Sequence, residues 1–125
     1  MNDAVCSGRE ELDELVRQIR EFVDERDWEQ FHSPKNLAMA LVVEAAELVE
    51  IFQWMTEEES SELNDLDRRR ATEEIADVMT SLIRISDRLN IDLLSAVEQK
   101  LAATRQKYPA ELVRGSSRKY SEYKS

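Results

Sequence analysis

The sequence predicts an all-α fold, a bundle of four to five helices, and three observations carry that expectation. Only two glycines and two prolines occur in 125 residues, and these residues normally punctuate loops and sheets. Hydrophobic residues make up 42% of the chain and charged ones 35%, enough apolar material for a core under a heavily solvated surface. Apolar positions recur at i, i+3, i+4 and i+7, the period of a helix face. The length suggests one domain, 1–125, with 1–8 and about 110–125 as tails.

The elements follow in order. Ser7 and Glu10 have capping-box spacing, so a first helix is expected from near Arg9, with Leu12, Leu15, Val16, Ile19, Phe22 and Val23 as its stripe. The period fades across ERDWEQFHS, residues 25–33, which reads as a connection. Ser33 followed by Pro34 is a favoured helix start, and the second helix should run to about Trp54. Thr56 and Glu59 form another capping box over a short helix. A third main helix is expected over about Asp67 to Leu89, with Ile75, Val78, Leu82, Ile85 and Leu89 inward. Asn90 or Asp92 would cap a fourth, about 93–107, with Leu94, Val97 and Leu101 inward, and Pro109 would stop it. The final GSSRKYSEYKS is small, polar and basic, either a flexible tail or a segment that orders over a ligand.

Charge narrows the partners. A net charge of −10 repels nucleic acid polymers and anionic membranes unless cations intervene. A polyanionic substrate would therefore need metal ions. Cys6 is the only cysteine, which excludes an intrachain disulfide and suits a reducing cytoplasm. There is no signal-peptide apolar core at the start and no apolar run of membrane-spanning length. The expected location is cytoplasmic.

The second helix carries the feature that points to chemistry. At about 100° per residue, Leu37, Leu41, Leu48, Ile51, Phe52 and Met55 fall on one side, and Glu44 falls among them. Glu47 lies about 60° further round, whereas Glu50 points away and reads as surface. Neighbours three apart on a helix stand roughly 5–6 Å apart at Cβ, so Glu44 and Glu47 can share one cation. A carboxylate removed from water must be protonated, paired or bound to metal. Glu74 and Asp77 repeat the spacing on the third main helix, with Glu74 at the edge of the stripe. Two such helices side by side would gather four carboxylates, hard oxygen ligands suited to Mg²⁺ or Mn²⁺. His32 is the sole histidine, so a di-iron site built on two Glu-x-x-His motifs is not available within one chain. The bland alternative is a set of surface acids paired with Arg68, Arg69 or Arg84, in a non-catalytic helical oligomerisation module.

The stretches ERDWEQFHSPKNLAMALVVEAAELVEIFQW, EEIAD and RQKYPAELVRGSSRKY resemble the MazG-like all-α nucleotide pyrophosphohydrolases, in particular the dCTP pyrophosphatase branch. The resemblance spans roughly residues 10–120. ExxE, a spacer and ExxD together are far more specific than either half. It implies an all-α MazG-like bundle completed by oligomerisation, a homodimer or homotetramer with pockets shared between subunits. It implies Mg²⁺-dependent conversion of a nucleoside triphosphate, dCTP or a modified dCTP, to the monophosphate and pyrophosphate, as in nucleotide-pool cleaning. A broad-specificity house-cleaning pyrophosphatase is the alternative within enzymes.

The metal and catalytic ligands of the family match Glu44, Glu47, Glu74 and Asp77, and its base-binding segment matches Trp28 through His32, with Phe31 between, together with Trp54. Both tryptophans offer flat faces for a base, and serve equally well as core or interface filling. Lys100, Arg105 and Lys107, with Tyr108 nearby, are the candidate phosphate contacts, although cations at a helix C-terminus also complement its dipole. Vertebrate members of the branch carry a histidine on the first helix where this chain has Ile19, a tyrosine at the substrate-binding position held here by Ser81, and an asparagine where Thr104 stands. Fewer hydrogen-bonding groups imply looser rejection of wrong bases.

Overall fold

The computed structural model describes residues 3–123, with side chains described for 8–122. It is helical, with no strand among the described residues. The chain divides after Ile91 into two compact units.

The first unit begins with α1, Asp3–Glu25. That start lies well before Arg9; the side chain of the expected cap, Ser7, lies outside those described. α1 ends where Asp27 adopts φ 52°, the left-handed conformation that closes a helix. Trp28 N–H then donates to Val23 O at 3.1 Å and Asp27 N–H to Asp24 O at 3.1 Å, the paired bonds of a Schellman motif. A 3-10 turn, Glu29–Phe31, occupies the expected connection.

Ser33 caps α2, Pro34–Phe52, its hydroxyl accepting from Asn36 N–H at 3.1 Å. Thr56 and Glu59 complete the reciprocal capping box of the short α3, Glu57–Ser61. Asn64 caps α4, Asp65–Arg88, and Asn90 at φ 55° ends it with a second Schellman pair, Ile91 N–H to Ser86 O at 2.8 Å and Asn90 N–H to Asp87 O at 3.2 Å. Asn90 therefore stops the helix before it; of the two candidate caps, Asp92 is the one that starts the next.

α2 packs along α4, and α1 packs against α4 as well. Among the described residues the buried apolar side chains are few: Val23, Leu37, Ala71 and Ile83. The stripe expected to face inward on α4 does not close over. Ile75 is 56% exposed and Leu82 and Leu89 are exposed too, whereas Ala71, Ile83, Arg84 and Ser86 are buried. The period of a helix gives its apolar arc; it does not say how much of that arc the chain's own neighbours cover. Met39, Val42, Val43 and Val49 of α2, which lie off the arc of Leu37, Leu41 and Leu48, are exposed as well.

The second unit starts with α5, Leu93–Lys107, capped by Asp92, which accepts from Ser95 N–H at 3.1 Å. Val97 and Leu101, expected inward, are exposed. Beyond Pro109 come α6, Ala110–Val113, and a 3-10 turn, Tyr120–Tyr123. Tyr120 stands edge-on to Tyr108 at 6.0 Å, with the Lys107 ammonium 4.7 Å from the Tyr120 ring centre. The aromatic contact with Tyr108 and the cation–π contact with Lys107 tie Tyr120 to the end of α5. No described helix is long and apolar enough to cross a membrane.

Candidate active site

The packing of α2 on α4 brings together carboxylates that lie some thirty residues apart in sequence. Glu44 of α2 and Glu74 and Asp77 of α4 each offer an oxygen, and the three oxygens lie within 4.8 Å of one another. Glu44 and Glu74 are half-buried, Asp77 exposed. One oxygen of each glutamate, Glu44 Oε2 and Glu74 Oε2, is buried without a hydrogen-bond partner.

The electrostatics follow. Burial pushes the Glu44 carboxyl up, and the charges of Asp77 and Glu47 push it further. Glu74 is pushed up to about 7 by burial and by its neighbours Glu47, Asp77 and Glu44. Carboxylates that repel one another, with oxygens left unpartnered, favour a compensating cation. Their hard oxygen donors fit a divalent metal ion.

Glu47 stands at the edge of this cluster, exposed, and it influences both Glu44 and Glu74. With Glu50, Ile51, Arg70 and Glu74 it lines a groove of about 440 Å³. Glu50 is surface, as its wheel position says, but surface beside the acids. Arg70 thus stands beside the acids, and its one sequence signal is its position four residues before Glu74. Among the described residues no ion pair joins Arg68, Arg69 or Arg84 to the four acids. Arg84 pairs instead with Glu29 and Asp87.

A second group surrounds the end of α1. The Schellman turn sets Trp28 edge-on against Phe22, ring centres 5.7 Å apart, with the His32 ring at 6.5 Å. Trp28 is 43% exposed and Phe31 59%. Arg84, only 4% exposed, reaches this group from α4: its Nε donates to His32 Nδ1 at 3.4 Å. Arg20 and Arg88 extend the cluster through Asp87 and Glu29. Sequence reasoning did not assign Arg84 to this place, because a buried arginine reads like any surface one until its partners are known.

The remaining candidates stand elsewhere. Trp54, in the turn after α2, is 88% exposed. Ser81 lies half-buried on α4, one turn beyond Asp77. Lys100, Arg105 and Lys107 are exposed on α5 in the second unit, where Lys100 borders a shallow apolar groove with Ala96, Val97, Leu101 and Thr104. Tyr108 caps the C-terminal end of α5.

A helical domain whose acids converge between two packed helices defines a class, the all-α proteins with a carboxylate cluster suited to a divalent cation. Within it, the chain belongs to the MazG-like family, whose model matches residues 39–123, a span that includes all four acids. It is 47% identical over 113 residues to human dCTP pyrophosphatase 1, covering 89% of this chain and 66% of that protein. The Bos taurus protein of the same name is 42% identical over 118 residues, covering 93% and 70%. The chain thus spans about two thirds of the length of these relatives. The crystal structure of a pyrophosphatase from Archaeoglobus fulgidus superposes with a TM-score of 0.76 at 40% identity, covering 79% of this chain and 93% of that one.

Proposed function

We propose that this chain is a metal-dependent nucleotide pyrophosphohydrolase that converts a deoxynucleoside triphosphate, with dCTP or a modified dCTP preferred, to the monophosphate and pyrophosphate. The observation that carries this reading is the convergence of Glu44, Glu74 and Asp77 with two buried oxygens lacking partners, in a chain this similar to proteins named dCTP pyrophosphatase.

Glu44, Glu74 and Asp77, with Glu47 at the edge, would hold the ion, Mg²⁺ or Mn²⁺. When bound, such an ion offsets the charge of triphosphate oxygens and lowers the pKa of an attacking water. The chain's own residues supply the rest. Burial and mutual repulsion favour the protonated forms of Glu44 and Glu74, and these would give up their protons as the ion binds. Trp28, with Phe31 and His32 beside it, and Trp54 supply the faces and the donor for the base. Ser81 sits one turn from Asp77 as a small neighbour of the substrate. Lys100, Arg105 and Lys107, with Tyr108, take the phosphates.

Incubating the purified protein with each dNTP and Mg²⁺ and assaying pyrophosphate tests this directly. Pyrophosphate from none of them sinks the proposal. Broader house-cleaning activity is favoured by Ile19 and Ser81, which cannot make the base contacts of a histidine and a tyrosine; competing nucleotides at equal concentration separate the two readings. If the chain is a non-catalytic module, Mg²⁺ and nucleotide leave its melting temperature unchanged, whereas a binding enzyme gains stability by mass action. The exposed apolar residues of α2, α4 and α5 support a homodimer or homotetramer. The single cysteine suits residence in the cytoplasm.

A further inference from the structure

Arg84 is the most deeply buried charged residue in the described chain, and none of its three guanidinium nitrogens is idle. Nη2 donates to Glu29 Oε2 at 3.0 Å, Nη1 to Asp87 Oδ2 at 3.3 Å, and Nε to His32 Nδ1 at 3.4 Å. Each carboxylate is held from a second side: Arg20 binds Asp87 through two bonds, at 3.0 and 2.5 Å, and Arg88 binds Glu29 at 2.5 Å. The guanidinium is thus clamped between α4, α1 and the 3-10 turn, and its orientation is over-determined.

The consequence falls on His32. An arginine cannot give up its proton, so Nε–H must donate and Nδ1 must accept with its lone pair. In the neutral ring the proton is then on Nε2. A protonated ring would set Nδ1–H against Nε–H. Burial and the charges of Arg84 and Arg88 hold the imidazole below its ordinary range, with Glu29 pulling the other way.

The backbone under the ring is pinned as well. His32 N–H donates to Glu29 O at 3.1 Å, Asn36 Nδ2 donates to Phe31 O at 3.0 Å, and the next residue, Ser33, caps α2. The Nε2–H has no hydrogen-bond partner among the described residues, and the ring stands edge-on to Trp28.

We propose that Arg84 is a positioning residue for nucleotide recognition: it locks His32 as the Nε2–H tautomer, a fixed donor beside Trp28 for an acceptor atom on the base edge. This rests on the reading above that Trp28 and His32 meet the base. A structural arginine would need only its carboxylates. Here one nitrogen is spent on an imidazole, and what that fixes is which atom of the ring can donate. Cytosine presents an unprotonated N3 to such a donor, and N3 is the atom that discriminates, because the carbonyl O2 is common to all three pyrimidines. Thymine and uracil present N3–H, which a freely switching histidine would accept and a locked one repels. The lock thus contributes to base selectivity in a chain that has Ile19 and Ser81 where a histidine and a tyrosine are expected.

Because His32 is the sole histidine, its state can be read without assignment ambiguity. Long-range proton–nitrogen NMR of the ¹⁵N-labelled full chain near neutral pH should show one ring, protonated at Nε2 and unprotonated at Nδ1. An Nδ1–H ring, or a mixture of tautomers, overturns the proposal, and this arm needs neither turnover nor a variant. Arg84→Lys should then mix the tautomers and raise the titration midpoint of the ring. Glu29→Gln, at a partly exposed partner, serves as the milder variant: by loosening the clamp it should also mix the tautomers, while the loss of a carboxylate that raises the ring leaves the midpoint no higher. An unchanged spectrum in both overturns the assignment to Arg84. In kinetics, either variant should lower the preference for dCTP over dTTP on the order of tenfold, through KM more than kcat. Unchanged discrimination with a disturbed tautomer overturns the recognition role. Absence of turnover with every nucleotide overturns the enzymatic reading instead, while the NMR arm still reports the lock.

Discussion

Glu74 sits where two demands conflict: it is half-buried, and it faces Glu44, Glu47 and Asp77. Its proton is held to about pH 7 in the folded chain, against an ordinary value of 4.5. With the folded value above the unfolded one, the folded state carries more protons between the two, so stability falls as pH rises through that window. We expect the melting temperature of the metal-free protein to fall more steeply for wild type than for Glu74→Gln between roughly pH 5.5 and 7.5. His32, lowered by burial and Arg84, acts in the opposite sense and is common to both proteins. Mg²⁺ should reduce the wild-type slope, because ligation favours the ionised carboxylates. Asp77→Asn, and equally Glu44→Gln, should lower turnover on the order of 100-fold or more while the circular dichroism of the helices is kept. A rate near wild type would remove these residues from the proposed site.

The helices owe their bounds to short-range chemistry. Ser33 accepts from Asn36 N–H at the start of α2, and Ser33→Ala should cost about 1 kcal/mol in chemical denaturation. The effect extends to the site, because His32 precedes this cap and α2 carries Glu44. Asn90 holds a left-handed conformation that a β-branched residue resists, so Asn90→Val should destabilise by about 1–2 kcal/mol, read as a lower denaturation midpoint with an unchanged slope. These signals were legible: Ser33, Thr56 with Glu59, and Asp92 each cap the helix expected of them. Asn90 was legible as a boundary but was ambiguous in direction, since asparagine suits both a cap and a left-handed stop. α6 carried no usable signal, being a single turn of four residues.

At the scale of the molecule, apolar surface outweighs apolar core. Val42 is 68% exposed, and Met39, Val49, Ile75, Val97 and Leu101 are also exposed. Large apolar residues left exposed in each unit suit surfaces that meet a partner. Light scattering at micromolar concentration should give a mass of at least two chains; a monomer there would count against the proposed assembly. The acidic balance, −10 overall, fits a protein that meets polyanions only through a cation. It follows that nucleotide affinity should depend on divalent metal, and chelation should abolish the shift in melting temperature that nucleotide produces.

What the sequence by itself determined is local: the caps that start α2, α3 and α5, the approximate extent of α2, α4 and α5, and that Glu44 with Glu47, and Glu74 with Asp77, stand three apart on one helix each. Caps and i, i+3 spacing depend on a few consecutive residues, so they can be read without a fold. The tertiary structure alone decided that Glu44 meets Glu74 and Asp77 while Glu47 stands at the rim, because that outcome depends on how α2 is rotated against α4. It alone decided that Arg84 turns away from those acids to reach Glu29 and His32, 55 and 52 positions away in sequence. A helical period specifies which residues share a side; only packing specifies what that side faces.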